Sequence, residues 1–184
     1  MEPLFLFGTL QHRPLLEAVL GRSDDLNVET AAFPGYKTRA VAEGPFPTIV
    51  AATNGTAQGA IVRGLNAEDY QSLDFYESIF GYLRSEVVLA DGQAAQIYFP
   101  PEGRWTESGP WDLGKWARDW GTISVIAAAE VMSYRSLKTP DEIAGMFEII
   151  RARAWSTLNA KSSRHGELTL RGAVEIEATR RPYA

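Results

Sequence analysis

Two short stretches of this sequence carry residue types from which a reaction centre could be built. In the first, Phe7-Gly8-Thr9-Leu10, a glycine and a hydroxyl residue follow the apolar run Leu4-Phe5-Leu6. A strand that ends in a glycine exposes backbone N–H groups, which can hold an anion or a carbonyl oxygen. In the second stretch, Glu77 offers a carboxyl group for proton transfer. Together they would support proton transfer beside a bound carbonyl group, although the first stretch alone is also typical of an ordinary turn.

The surroundings of Glu77 decide whether its carboxyl group suits acid–base work. On a helical wheel of about 100° per residue, Glu77 falls within an arc of large apolar and aromatic residues, namely Tyr70, Leu73, Tyr76 and Phe80. Burying a carboxylate without a partner raises its pKa, because the charged form loses its hydration. Glu77 is therefore a candidate general acid and base. The alternative is a structural role, in which Glu77 pairs with a buried arginine or caps a backbone group.

The composition excludes several other kinds of reaction centre. The chain has 184 residues, of which none is cysteine and two are histidine, His12 and His165. Disulfides, thiolate nucleophiles and Cys-rich or His-rich metal sites are thereby excluded. The formal net charge of −5 argues against non-specific nucleic-acid binding, which needs a basic face. We expect Arg151, Arg153 and Lys161, which lie in one segment, to form a solvated helix face.

The overall composition is that of a globular protein, with 45% hydrophobic and 22% charged residues. Its length suits one domain, or one domain with an extension. No apolar run reaches the roughly 18 residues needed to span a membrane. The N-terminus has no basic region before its apolar run, which is too short for a signal peptide. We therefore expect a cytoplasmic protein with neither a membrane nor a nucleic acid as its partner.

The elements that must position the two stretches are predicted from hydrophobic periodicity and turn residues. Residues 4–7 are too few for a helix and predict a buried strand, whereas the apolar spacing in residues 13–20 predicts a helix. Four β-prone runs follow, at residues 26–33, 36–41, 46–51 and 56–62. Between the last two, Asn54-Gly55 predicts a tight hairpin turn. Such closely spaced strands predict a curled antiparallel sheet or a small barrel.

A second predicted helix carries Glu77. It begins near Asn66, a good N-cap, and has Glu68 and Asp69 in its first turn, where the helix dipole favours negative charge. Two more strands are predicted after it, at residues 82–89 and 94–99, with a turn at Asp91-Gly92. Glu77 is thus expected near the C-terminal end of a helix that packs on the sheet.

The break at residues 100–103, Pro-Pro-Glu-Gly, predicts a boundary between a core (residues 1–104) and an extension (residues 105–184). We expect the extension to be mainly helical and packed on the core, with a helix from Pro140 to about residue 158 and a last strand at residues 168–176. It also carries a tryptophan cluster, Trp105, Trp111, Trp116 and Trp120. These rings either cover the core or form a lid or a partner-binding surface. The helix from Pro140 is a candidate homodimer contact.

Two motifs, taken together, resemble the γ-glutamylcyclotransferase-like (AIG2-like) family. They are Phe5-Leu6-Phe7-Gly8-Thr9-Leu10 and Leu73-Asp74-Phe75-Tyr76-Glu77-Ser78, the second followed by Tyr82-Leu83-Arg84. The family has an early strand ending in Tyr-Gly-Ser/Thr-Leu and a later Leu-Asp-x-Tyr/Phe-Glu-Gly with a Tyr a few residues on. The resemblance spans residues 4 to about 99. It implies an α+β fold, a small mixed β-barrel flanked by helices, with no cofactor and no metal.

The resemblance also implies an activity on a small γ-glutamyl substrate. In such enzymes the α-amine of the γ-glutamyl group attacks its own side-chain amide, releasing 5-oxoproline and an amine or amino acid. Glu77 corresponds to the family's catalytic glutamate and would take up and return the proton. The N–H groups of Phe7-Gly8-Thr9-Leu10 would hold polar groups of the substrate. Tyr82 and Tyr98 would line the pocket, with core packing as the alternative for each.

Three departures from the family pattern leave the substrate open. Phe7 stands where Tyr is usual, Ser78 where Gly follows the glutamate, and Ala60 where many members have Glu. None of them removes the proposed base. They motivate a second hypothesis, a non-catalytic module that binds a small ligand in the same pocket. A third hypothesis is an interaction protein that acts through the tryptophan-rich extension.

Overall fold

The computed structural model describes residues 2–178, with side chains for residues 2–160. Six strands form one sheet: β1 (Leu4–Leu6), β2 (Asn27–Val41), β3 (Pro47–Arg63), β4 (Leu83–Val88), β5 (Ala94–Phe99) and β6 (Glu107–Pro110). The helices are α1 (Arg13–Leu20), α2 (Ala67–Ser78), α3 (Leu113–Trp116), α4 (Thr122–Ser133) and α5 (Pro140–Ala178). A 3-10 turn (Thr9–Gln11) follows β1, and a π-helical segment (Ala117–Gly121) joins α3 to α4.

β1 lies inside the sheet, antiparallel to β3 and parallel to β5. Its three residues are at most 4% exposed, which confirms the buried strand predicted from the apolar run. The backbone of β3 can approach so closely only because residue 59 is glycine. A Cβ on Gly59 would lie 2.2 Å from the carbonyl oxygen of Leu6 and 2.7 Å from the ring of Phe5.

The α+β fold predicted from the sequence is confirmed, but the sheet is open. Its strands follow the order β4-β5-β1-β3-β2-β6, and the described strands do not close into a barrel. The helices α1, α2, α4 and α5 contact one another and share one hydrophobic core with the sheet. The site described below lies where the central strand meets these helices.

The hairpin turn predicted at Asn54-Gly55 is wrong. Both residues lie inside β3, in a bulge of residues 52–55 opposite Gly35 of β2. The turn between β2 and β3 lies instead at residues 42–46. Pairing along the whole length of two long strands outweighs the local turn preference, and the Asn-Gly pair is used in a bulge that bends the hairpin.

The C-terminal part of the chain is more helical than predicted. The strand predicted at residues 168–176 is wrong, because α5 continues through it to Ala178. Five of its nine residues, Leu168, Leu170, Arg171, Ala173 and Glu175, favour a helix, and this outweighs the β-branched residues from which the strand was predicted. β6 lies beyond residue 104 but pairs with β2, so the sheet extends past the predicted boundary. The division into a core and an extension near residue 104 stays a prediction. In the described part of the chain, no helix has both the length and the apolar character required to cross a membrane.

Candidate active site

A cavity of about 140 Å³ lies where β1, the start of β3 and the helices α2, α4 and α5 meet. Every site residue predicted from the sequence lines it, namely Phe7, Gly8, Thr9, Leu10, Glu77, Tyr82 and Tyr98. Most of the remaining wall is apolar or aromatic. The loop after β1 and Glu77 of α2 therefore line the same hollow, although they are about seventy residues apart in the sequence.

The start of α2 is fixed by a capping box and a buried ion pair. The side chain of Asn66 accepts hydrogen bonds from the N–H groups of Glu68 and Asp69, and the Asp69 carboxylate accepts one from the Asn66 N–H. Asp69, whose side chain is 3% exposed, also accepts hydrogen bonds from the Arg22 guanidinium at 2.9 and 2.6 Å. The guanidinium lowers the pKa of Asp69, so this carboxylate stays charged. This anchor sets where Glu77 lies, about three helical turns further on.

Glu77 projects from the buried face of α2, as the helical wheel predicts. Its neighbours on that face, Tyr70, Leu73 and Tyr76, are at most 8% exposed. Glu77 itself is half-buried and lines the cavity. Among the described residues no hydrogen bond or ion pair reaches this carboxyl group, so neither structural alternative is realised there. Burial raises the pKa of Glu77 to about 8, and the group is mostly protonated at neutral pH.

The loop after β1 lines the same cavity. The Gln11 N–H donates to the Gly8 carbonyl at 3.1 Å and the His12 N–H to the Thr9 carbonyl at 2.9 Å, which closes the 3-10 turn. Within the described residues, the N–H groups of Gly8, Thr9 and Leu10 have no acceptor. A Cβ on Gly8 would lie 3.2 Å from the Pro47 ring, so a glycine lets β3 start close to the loop. Free N–H groups beside a cavity can bind an oxygen of a ligand.

Tyr82 and Tyr98 are both buried and line the cavity, so they combine the two roles left open by the sequence. The Tyr82 hydroxyl donates to the Pro47 carbonyl at 3.1 Å. The Tyr98 hydroxyl donates to the Asp74 carboxylate at 2.7 Å, and Arg84 lies 3.2 Å from the second oxygen of that carboxylate. Burial raises the pKa of both tyrosines well above the usual range, so both remain protonated. They act as fixed walls of the cavity.

The extension supplies a further wall, of which the sequence reasoning predicted only that the tryptophan rings would cover the core or form a lid or a partner-binding surface. The continuous helix of α3, the π-helical segment and α4 presents Trp116, Trp120, Ile123, Ser124 and Ala127 to the cavity, and α5 adds Phe147 and Arg151. Their spacing of three and four residues was the available signal, but it shows only that they share a helix face. The rings of the tryptophan cluster pack on the core, which favours their role as a cover.

Glu77 and Arg151 are the two charged residues in the described wall of the cavity. The expectation that Arg151 belongs to a solvated face is therefore wrong in part, since 39% of its side chain is exposed and the rest lines the cavity or packs. Among the described residues, no group of three or more His, Asp and Glu side chains could hold a metal ion. The arrangement can bind a small polar molecule and move a proton on it.

The chain matches one family and is similar to several known proteins. The family described as "Gamma-glutamyl cyclotransferase, AIG2-like" matches residues 4–117, more than half of the chain. AIG2-like protein B of Arabidopsis thaliana is 24% identical over 144 residues, covering 72% of this chain and 78% of that protein. The solution structure of an Arabidopsis thaliana protein is 21% identical with a TM-score of 0.50, covering 75% of this chain and 94% of the other. A solved structure named gamma-glutamyl cyclotransferase is 12% identical with a TM-score of 0.42, covering 80% of this chain and 98% of the other.

Proposed function

Since the chain belongs to the γ-glutamyl cyclotransferase, AIG2-like family, we propose that it cyclises a small γ-glutamyl substrate to 5-oxoproline. The substrate is a γ-glutamyl amine, amino acid or peptide. Its α-amine nitrogen attacks the γ-amide carbonyl carbon, and the new C–N bond closes a five-membered ring. The original amide C–N bond then breaks and the amine leaves. The substrate supplies its own nucleophile, so the protein has to provide position, a proton carrier and stabilisation of charge.

The proposal is carried by one observation, an unpaired carboxyl group that shares a cavity with free N–H groups. In its ionised form Glu77 accepts a proton from the α-ammonium group and donates it to the leaving nitrogen as the amide C–N bond breaks. The carboxylate then accepts the extra proton of the ring nitrogen, so that the lactam keeps one N–H, and it passes this second proton to the released amine or to solvent. The α-ammonium group of a peptide has a pKa of about 8, and the free α-carboxylate beside it in a γ-glutamyl group raises this value, so that it stays close to or above the pKa of about 8 of Glu77. Proton transfer between them is nearly balanced. To a glutamate with the ordinary pKa of 4.5, the same transfer would be uphill by about 5 kcal/mol.

The loop after β1 has a complementary role in this proposal. As the nitrogen attacks, negative charge develops on the oxygen of the γ-carbonyl group. The N–H groups of Gly8, Thr9 and Leu10 are free to donate to an oxygen in the cavity. Donors that are already in place stabilise such charge at no cost of reorganisation. The aromatic wall excludes bulk water, and this strengthens hydrogen bonds to the developing charge.

The test is to incubate the protein with a panel of γ-glutamyl amines, amino acids and peptides and to assay 5-oxoproline. We expect turnover of at least one compound, and a loss of at least about 100-fold in kcat for Glu77→Gln, which keeps the shape but cannot carry the proton. Glu86→Gln, the same change on the exposed face of β4, is the matched control and should keep full activity. Equal turnover by Glu77→Gln would refute the role of Glu77. Saturable binding of the panel without any product would favour the non-catalytic module instead.

A further inference from the structure

Arg151 lines the cavity but has no part in the proposed reaction. It lies on α5, whereas the proposed base and the N–H groups lie on α2 and after β1. We propose that Arg151 binds a carboxylate on the leaving portion of the substrate. It would make the enzyme select γ-glutamyl amino acids or peptides whose leaving amine carries a nearby carboxylate, and disfavour plain γ-glutamyl amines. This inference rests on the proposed function.

The first step is the orientation of the substrate. The reacting carbonyl must lie beside Glu77, which is on the buried face of α2 next to Leu73 and Tyr76. Arg151 has 39% of its side chain exposed, so it lies at the solvent-facing part of the cavity wall. In this arrangement the γ-glutamyl group lies at the inner part of the cavity, beside Glu77, and the leaving amine extends towards solvent. The leaving portion is therefore the part of the substrate that comes near Arg151.

The second step is the availability of the guanidinium group. Its Nη2 donates to the Glu148 carboxylate at 2.5 Å, three residues earlier on the same helix. The Glu148 side chain is 74% exposed, and an ion pair so open to water contributes little stability. A guanidinium has five N–H donors, so most of them remain for a ligand. Its planar fork matches the two oxygens of a carboxylate.

The third step concerns the residues that surround the Arg151 guanidinium group. Phe147 precedes Arg151 by four residues, so both point from one face of α5 into the cavity. Trp120 lines the neighbouring part of the wall, and the Phe147 ring packs edge-on against Phe80 at 5.1 Å. Apolar surroundings strengthen an ion pair relative to water. Phe147, Trp120 and Arg151 all lie outside the family-matched residues 4–117, so this selection would belong to the part of the chain that the family match leaves out.

The experiment compares γ-glutamylalanine with γ-glutamylethylamine, whose leaving groups differ by one carboxylate. In the wild-type protein we expect a higher kcat/KM for γ-glutamylalanine. Arg151→Met keeps an apolar stem but loses the charge. It should lower kcat/KM for γ-glutamylalanine by about 10- to 100-fold, the range for losing charge-assisted hydrogen bonds. It should leave kcat/KM for γ-glutamylethylamine within about twofold of the wild-type value, because that substrate makes no such bond.

Two further variants sharpen the test. Arg153→Met is the matched control, because Arg153 lies on the same helix, pairs with Glu130 and does not line the cavity. It should change kcat/KM for neither substrate. Arg151→Lys keeps the charge without the planar fork and should retain part of the preference. Equal losses for both substrates in Arg151→Met would put Arg151 on the γ-glutamyl group and overturn the inference, as would no loss for either. If the wild-type protein forms 5-oxoproline from no compound of the panel, the proposed function fails first.

Discussion

Replacing Glu77 by glutamine is expected to stabilise the folded protein at alkaline pH, even though it removes the proposed proton carrier. The folded state holds this carboxyl group at a pKa of about 8, while the unfolded chain returns it to the ordinary 4.5. Between these values the folded state binds one more proton than the unfolded state, so stability falls as pH rises. The favourable contribution of the protonated Glu77 to the free energy of unfolding is fully present below pH 4.5 and is lost as the pH rises through about 8. Glutamine has no proton to lose and removes this dependence.

The magnitude follows from the two pKa values. Each pH unit between 4.5 and 8 lowers the free energy of unfolding by about 1.4 kcal/mol, so the full difference approaches about 5 kcal/mol. The Glu77 side chain is only partly buried, and this partial exposure reduces the difference, so we expect about 2–5 kcal/mol above the raised pKa. Urea unfolding of the wild-type and Glu77→Gln proteins across about pH 5 to 9 measures it directly.

A matched control separates this effect from general charge effects. Asp119 lies outside the cavity, and its hydrogen bond with Lys115 lowers its pKa, so it is ionised in both states across this range. Asp119→Asn should therefore change stability by an amount that does not vary with pH. The difference for Glu77→Gln should grow steadily with pH. If it stays as flat as the control, the carboxyl group is not withdrawn from water and the reasoning is refuted.

The pH dependence of activity should follow the same group: kcat/KM for a γ-glutamyl substrate should rise about tenfold per pH unit up to about pH 8. A kcat/KM that already levels off near pH 5 would contradict the assignment of this pH dependence to Glu77. Gly59→Ala should lower the free energy of unfolding by about 3 kcal/mol, because the new Cβ would lie 2.2 Å from the Leu6 carbonyl oxygen; an unchanged urea midpoint would show that β1 can shift. Asp69→Asn should lower the free energy of unfolding by about 3 kcal/mol, because Arg22 loses its buried partner. Since the pKa of Asp69 is lowered, that cost should appear above its ordinary 3.8 and vanish as pH falls, and a cost that persists in acid would argue against an ionic origin.

The parts of the site that sequence reasoning predicts depend on short-range patterns. The buried strand β1 follows from an apolar run too short for a helix, and the start of α2 follows from Asn66 and the acidic residues after it. Helical periodicity alone places Glu77 among buried rings. Each of these features is decided within one or two turns of backbone, so neighbouring residues are sufficient to reveal it.

The parts that sequence reasoning misses depend on pairings between distant residues. Local preference puts a turn at Asn54-Gly55, but the pairing of β2 with β3 decides that this pair lies in a bulge. The buried partner of Asp69 is Arg22, which lies 47 positions away. Arg151 follows the buried Ile150 on α5, yet its long side chain could equally have turned towards solvent. Periodicity identifies the face of a helix but not the surface that it covers.

The central claim is that the Glu77 carboxyl group lies unpaired in the cavity and holds its proton at neutral pH. Carbon-13 NMR of the glutamate side-chain carboxyl groups, recorded as a pH titration, tests it without any substrate. The signal of Glu77 is assigned by its absence from the spectrum of Glu77→Gln. We predict a titration midpoint at about pH 8. A midpoint near 4.5, the ordinary value for glutamate, would contradict the claim.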